Sequence, residues 1–318
     1  MIYVLLLLIL MLLWMADYDQ WWLKISNIFA LFLFFPLPVF GLVALLIQSR
    51  CLRIAVVVGV LLFVGQFWEV LKPPLPVTQS GKSLRIVTFN QLARNKNVSA
   101  VLNVIAAQQA DVVILQEISK PLAQSLSSLK QEYPYQSVAL ELGGLALLSR
   151  YPLTEVESTM PLGFEGQHAI LDLNGRRIRL LNVHLPSPWI SVRRDLLIGR
   201  MPIITGYRTE RREGESAALL QAIDETQGPL IVLGDFNTTD REAYYRSMAA
   251  RMTDAFRQAA WGPGLTFPNG RQVRGVNIPV RLVRIDYVWL RDLQALHAWT
   301  DCTYAGSDHC VVGADISP

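Results

Sequence analysis

Hydrophobic residues follow two regimes along this chain. Before Lys72 they form long blocks: Ile2 to Ala16, Ile25 to Ile47 with Pro36 and Pro38 inside it, and Leu52 to Val70. After Leu84 they form short runs cut by polar turns, with strand-like and helix-like spacing alternating. The second block is long enough for a membrane helix, which needs about 20 apolar residues, and the third approaches that length; prolines are better tolerated there than in a soluble helix. The first block is shorter and lacks the basic flank and cleavage site of a signal sequence. The pattern predicts a membrane anchor of about three transmembrane helices over residues 1–71, with buried helices of a soluble domain as the alternative. "LKPPLP" at Leu71 to Pro76 then breaks any helix, and "VTQSGK" reads as linker, so residues 72–83 join the anchor to a domain at 84–318.

Within that domain "LRIVTFN" predicts a strand ending on Asn90, Val98 to Gln109 a helix, and "ADVVILQE" a buried strand ending on Glu117. Pro121 to Lys130 reads as a second helix. "GGLALLSR", "AILDLNG" and "RIRLLNVHL" are successive strands, with Asn174 and Gly175 as a tight hairpin turn. Glu215 to Glu225 is helical and leads into "PLIVLGDFNTTD"; "RIDYVWL" and "HCVVGADI" are late strands. Such an order predicts an α/β fold, two packed sheets with helices outside.

The strand ends carry the chemistry. "LIVL" is a buried strand, yet it runs at once into Asp235 and Asn237. One acid at a strand end is ordinarily a turn residue. Here Asn90, Glu117, His184, Asp235 with Asn237, and Asp308 with His309 all occupy such places, and strand ends of a layered sheet converge on one rim.

Composition matters mainly through its distribution. Of 318 residues 52% are hydrophobic and 17% charged, and the excess of apolar residues lies before Lys72. The net charge of +3 argues against a dominant nucleic-acid surface. Arg50 and Arg53 stand in a loop without acids, whereas Asp17 and Asp19 oppose Lys24 in the loop before it. The positive-inside rule therefore puts the arginines in the cytoplasm and the domain outside, as part of an integral protein of the cell (inner) membrane. Cys302 and Cys310 flank "TYAGSDH"; two reduced structural thiols are the expectation, and a bridge is the alternative.

Three cysteines and four histidines are too few for a structural zinc site. Oxygen donors such as Asn90, Glu117 and Asp308 or Asp235 suit Mg²⁺ or Mn²⁺ instead. His184 and His309 can donate to phosphate oxygens and Asn237 can orient a water or the phosphoryl group. Asp286 can hold His309 in one tautomer, and Asp235 is the best candidate to orient or deprotonate water.

In order, "TFN", "LQE", "LLSRYPL", "NVHL", "GDFN", "IDYV" and "SDH" resemble the endonuclease/exonuclease/phosphatase superfamily over about Leu84 to Ile316. The resemblance implies a four-layer α/β sandwich and Mg²⁺-dependent cleavage of a phosphoester or phosphoanhydride by water. It implies Asn90, Glu117 and Asp308 at the metal, and His184, Asp235, Asn237, Asp286 and His309 around the phosphate. Whether Asp235 or His309 is the base stays open. Asn95 is a possible second contact; His168 and His297 read as strand residues.

The stretch Pro186 to Arg208 mixes Trp189, Ile190, Leu196, Leu197 and Ile198 with Arg193, Arg194 and Arg200. It reads as an interfacial segment or as an amphipathic helix over the sheet. Together with the anchor it points to a phosphorylated lipid as substrate and the membrane as partner, and the architecture is similar to that of glycopeptide-resistance-type members acting on polyprenyl pyrophosphate. Arg271, Arg274, Arg281 and Arg284 form a basic tract, a solvated loop or a phosphate clamp. With Trp261 that tract keeps open a tethered nuclease acting on nucleic acid, and a non-catalytic scaffold is the remaining alternative.

Overall fold

The computed structural model describes residues 1–16, 18–74, 83–141, 143–159, 163–194, 202–270, 272–273 and 276–317. Its elements begin with six helices, α1 (Ile2–Met15), α2 (Trp21–Ile28), α3 (Ala30–Leu33), α4 (Pro36–Leu46), α5 (Arg50–Gln66) and α6 (Trp68–Leu71). Next come β1 (Leu84–Asn90), α7 (Val98–Gln108), β2 (Val112–Gln116), α8 (Lys120–Ser125) with a 3₁₀ turn, β3 (Tyr135–Ala139), β4 (Leu145–Ser149) and β5 (Leu153–Thr159). The middle holds β6 (Gly166–Leu173), β7 (Arg176–His184), β8 (Trp189–Arg194), β9 (Pro202–Arg208), α9 (Glu210–Glu225) and β10 (Leu230–Asp235). The chain closes with α10 (Ala243–Ala249), β11 (Thr253–Asp254), α11 (Ala255–Ala259), β12 (Gln272–Val273), β13 (Val276–Asn277), β14 (Asp286–Arg291), β15 (Gln294–Asp301) and β16 (Val311–Ser317). These elements form two compact units, Met1–Lys72 with Pro188–Thr209, and Pro73–Ser187 with Glu210–Pro318.

In the first unit the prolines decide the helix pattern. Pro36 opens α4, so the apolar block Ile25 to Ile47 is not one rod. Among the described residues no single helix is long and apolar enough to cross a membrane, and Trp21–Ile28 with Ala30–Leu46 meets the test only as a pair bent by 76°. A small interior of Leu7, Ala30, Phe34, Leu37 and Phe67 holds the helices together. Much of the remaining apolar surface faces outward; Leu45 is 70% exposed and Leu61 65%. The segment after His184 belongs to this unit and is an antiparallel hairpin, which overturns the amphipathic-helix alternative. Pro202 falls inside the segment, where it would interrupt a helix, and Ile190, Val192, Ile203 and Ile204 are β-branched. Leu196, Leu197, Ile198 and Arg200 lie outside the described residues. β9 packs against α2.

The second unit is a sandwich of two six-stranded mixed sheets, ordered β15-β16-β1-β2-β4-β3 and β11-β14-β10-β7-β6-β5. Each has one central parallel pair, β1 with β2 and β10 with β7, flanked by antiparallel strands. Side chains alternate across a strand, and the alternation is why the interior is double. Leu84, Ile86, Ile114, Leu180, Ile231, Leu233, Val288 and Leu290 meet between the sheets. Their neighbours face outward: Val87, Phe89 and Val113 pack on α7 and α8, while Val183, Leu230, Val232 and Trp289 pack on α9 and α10. The central strands are buried on both faces and so read as continuous apolar runs.

A buried polar bridge joins the sheets. Gln116 Nε2 donates to Asn182 Oδ1 at 2.8 Å, and Asn182 Nδ2 donates to the Leu115 carbonyl at 3.1 Å. Because unsatisfied amides are costly there, this bridge holds the two sheets in one register just below the rim. The expected reduced thiols are also corrected. Asp301 of β15 pairs with Val311 of β16, so the next residues outward, Cys302 and Cys310, stand opposite each other and are disulfide-bonded, Cα to Cα 4.4 Å.

Candidate active site

The strand pattern that builds the core also delivers the polar cluster. Asn90 continues the inward row Leu84, Ile86, Thr88, and Asp235 continues Ile231, Leu233. His184 continues Leu180, Asn182, and Asp286 opens the row Val288, Leu290. Pairing sets Asp235 beside His184 in the parallel ladder and opposite Asp286 in the antiparallel one. The rim is therefore a place where each sheet's inward row changes from apolar to polar.

Asp235 is 1% exposed and is the hub. Its Oδ2 accepts from Asn90 Nδ2 at 3.0 Å and from Asn237 Nδ2 at 3.1 Å; its Oδ1 accepts from the Asn237 backbone N–H at 2.8 Å. His309 Nε2 lies 3.8 Å and His184 Nε2 3.9 Å from the same Oδ2. Behind His309, Nδ1 is held by both oxygens of Asp286 at 3.0 and 3.1 Å. Behind His184, Nδ1 faces Glu165 Oε1 at 3.4 Å. Two carboxylate–imidazole pairs thus point at one buried carboxylate. Glu117 completes the rim: its Oε1 accepts from Asn90 Nδ2 at 3.1 Å and its Oε2 from the Ala93 N–H at 3.0 Å.

Asp308 sits beside His309, its Oδ1 buried without a hydrogen-bond partner among the described residues. Asn95 does not reach the cluster; it ties two loops, donating to the Gln91 and Ala305 carbonyls. His168 and His297 are strand residues away from it, in β6 and β15. Arg284 is corrected from both of its readings, being a 3% exposed partner of Asp254 at 2.6 Å. Arg271 and Arg274 lie outside the described residues.

Glu165 was missed by sequence reasoning, although a signal existed. The Asn174–Gly175 turn pairs Leu173 with Arg176, and counting back along the hairpin brings Glu165 opposite His184. Gly143 leaves room for it: φ is +67°, and a Cβ there would fall 1.9 Å from Glu165 Oε1. Ser307 was also missed; it accepts from the His309 N–H and donates to the Asn90 carbonyl at 2.6 Å, linking the last loop to β1.

Electrostatics divides the roles. Burial pushes Asp235 up to about 6, against the pull of both imidazoles and with help from the Asp286 charge. Burial alone would lower His309, but the charges of Asp286 and Asp235 and the Asp286 hydrogen bond push it up to about 10. Burial likewise opposes protonation of His184, and the Glu165 contact with the Asp235 and Glu117 charges outweighs it, raising its pKa. Burial would raise Glu117, yet the Ala93 N–H, the Asn90 amide and the two imidazoles hold it below the usual range. A histidine raised from 6.5 to about 10 contributes stability that is complete below 6.5 and lost as pH climbs to about 10. The melting temperature in a metal chelator is expected to fall across that window, and His309→Gln to flatten the fall. An unchanged slope in the variant would take the titration away from His309.

Asp235, Asp286 and His309 each present a possible ligand atom, all within 4.8 Å of one another. Asp286 already spends both oxygens on His309; beside that cluster Asn90 and Glu117 are joined at 3.1 Å and could offer an amide and an anionic carboxylate oxygen, and Asp308 could offer a buried oxygen next to His309. Oxygen donors of this kind suit a hard divalent cation such as Mg²⁺ or Mn²⁺, which would supply charge neutralisation at a phosphoryl group. Around the hub the chain could offer two imidazole donors in His184 and His309, an amide in Asn237, and a buried proton acceptor in Asp235.

The endonuclease/exonuclease/phosphatase family model matches residues 87–309, well over half of the chain. No curated protein matches by sequence. Among solved structures, an endonuclease/exonuclease/phosphatase from Bacteroides vulgatus is 18% identical with a TM-score of 0.59, covering 74% of this chain and 99% of that one. D. rerio TDP2 complexed with single-strand DNA product is 18% identical with a TM-score of 0.58, covering 75% of this chain and 100% of that one. The human nocturnin catalytic domain with bound sulfate is 21% identical with a TM-score of 0.53, covering 76% and 96%. At such identities the structures speak for the fold, and the family match over the motif-bearing residues speaks for the chemistry: the chain belongs to the endonuclease/exonuclease/phosphatase family and is a divalent-metal-dependent phosphoric ester hydrolase.

Proposed function

We propose that this protein hydrolyses a lipid phosphate or pyrophosphate at the outer face of a membrane, using Mg²⁺ or Mn²⁺ at Asn90, Glu117 and Asp308. The observation that carries the reading is the first unit: α1 and α4 are apolar on nearly every side, with large side chains turned outward. A helix hydrophobic all round belongs in a core or in lipid, and here there is too little interior for a core. The Cys302–Cys310 bridge supports an oxidising, extracytoplasmic setting. Arg50 and Arg53 at the start of α5 support the same orientation. In the reaction, Asp235 takes the proton of the attacking water and His309, charged at neutral pH, donates to the phosphoryl oxygens. His184 donates beside it, held by Glu165, and Asn237 orients the phosphoryl group.

A nuclease is the second reading, favoured by relatives of this fold solved with DNA, such as the TDP2 complex and the 3' phosphatase NExo from Neisseria bound to product DNA hairpin. Phosphate release from polyprenyl pyrophosphate, phospholipids and DNA, by the full chain in detergent with Mg²⁺, separates the two. Release from a lipid is the expected outcome. Cleavage of DNA with every lipid untouched would replace this reading by the second.

A further inference from the structure

The hairpin of β8 and β9 is spliced into the second unit between the end of β7 and the start of α9. Both splice points bear on one residue. On the entering side, the Leu185 N–H donates to the Asp235 carbonyl at 2.9 Å, and the Leu185 carbonyl accepts from Asn237 Nδ2 at 2.8 Å. On the leaving side, Arg212 in the first turn of α9 donates through Nη1 to the Asn237 carbonyl. Its Nη2 pairs with Glu242, whose other oxygen accepts from the Thr239 N–H at 2.7 Å. Asn237 itself has φ +48°, in the left-handed region that asparagine adopts more readily than most non-glycine residues. The next turn of α9 touches the second imidazole pair, since Glu215 accepts from the Glu165 N–H at 3.3 Å. The chain that leaves for the hairpin and the chain that returns from it therefore clamp the amide beside the hub carboxylate.

The hairpin's own surface has a defined chemistry. Trp189, Val192 and Ile203 are exposed, Arg193 is exposed among them, and the hairpin groups with the apolar helices. An aromatic ring, branched apolar groups and a guanidinium together match the headgroup layer of a phospholipid bilayer. We propose that this hairpin is a bilayer-docking lever, and that its seating on phospholipid fixes Asn237 through Leu185 and Arg212. Arg212 is thus a positioning residue, and hydrolysis depends on the bilayer even for a substrate that is not a lipid. The inference rests on the membrane placement proposed above, not on the identity of the substrate.

The test uses the full chain with Mg²⁺ in discs of phosphatidylglycerol and phosphatidylethanolamine and in detergent micelles. The substrate is water-soluble bis(p-nitrophenyl) phosphate, and amide exchange at Leu185 and Phe236 to Thr239 is followed in parallel. In discs kcat is expected to rise about fivefold with little change in KM, in the range of ordinary coupling between sites, and those amides are expected to exchange more slowly. Trp189→Ser with Arg193→Gln removes both effects. Arg212→Gln removes the rate effect while the hairpin amides stay protected in discs, and Arg212→Lys restores part of it. Equal kcat and equal exchange in discs and micelles would overturn the proposal, and amide exchange alone decides it if this phosphodiester turns over too slowly. Lipid hydrolysis indifferent to the hairpin variants sinks the lever and leaves the substrate reading. Bilayer dependence without any lipid hydrolysis does the reverse.

Discussion

Asp235→Asn is expected to lower phosphoester turnover by about a thousandfold, the scale of losing a positioned proton acceptor. The substitution keeps the volume but not the pattern of acceptors. Asp235 receives Asn90 Nδ2 and Asn237 Nδ2 on one oxygen and the Asn237 N–H on the other. A carboxamide has one oxygen only, so its NH₂ group must confront donors on whichever side it lies. It also withdraws the charge toward which both imidazoles point and which helps keep His309 protonated. Turnover measured with Mg²⁺ beside a melting curve separates the chemical loss from a folding loss. A folded variant with near wild-type turnover would remove Asp235 from the mechanism.

The largest stability effect is expected away from the reacting groups. Arg284→Met should cost about 3–5 kcal/mol, because it strands a buried carboxylate without its cation. Asp254 accepts from Arg284 at 2.6 and 3.1 Å and from Tyr245 Oη at 2.8 Å, and it caps α11 through the Phe256 and Arg257 N–H groups. Burial would raise Asp254, and the Arg284 charge and hydrogen bonds hold it low instead. The guanidinium also lies over the rings of Tyr287 at 4.6 Å and Tyr245 and Phe256 at 5.6 Å. The Tyr287 hydroxyl in turn lies within hydrogen-bond reach of both the Thr238 and Arg284 carbonyls, bracing the Asn237 loop. Urea unfolding of wild type and variant measures the cost. A difference below about 1 kcal/mol would mean that water or another cation reaches Asp254, as at an exposed pair.

That buried pair shows where reading the chain alone stops. Arg284 belongs to a run of arginines that looks solvated or phosphate-facing, because charge in a sequence carries no depth. Its partner Asp254 is thirty residues away and has no pattern linking the two. Cys302 and Cys310 are nearer in sequence, yet only the pairing of β15 with β16 places them opposite each other. The segment after His184 has helix-like spacing in part, and its prolines and β-branched residues, together with the α2 surface, settle it as a hairpin.

What the sequence determined by itself is everything governed by local period and local order. The apolar blocks before Lys72, the short strands after Leu84 and the polar residue closing each buried run are local, because strand alternation and helix periodicity are properties of consecutive residues. The ordered motifs also carried the family and its chemistry. Tertiary structure alone decided depth and partnership: Asp235 as the hub of two imidazole pairs, Glu165 behind His184, Arg212 on Asn237, and Arg284 in the interior. Those relations depend on how two sheets stack and which loops meet above them, and packing of that kind is fixed by contacts between residues far apart in the chain.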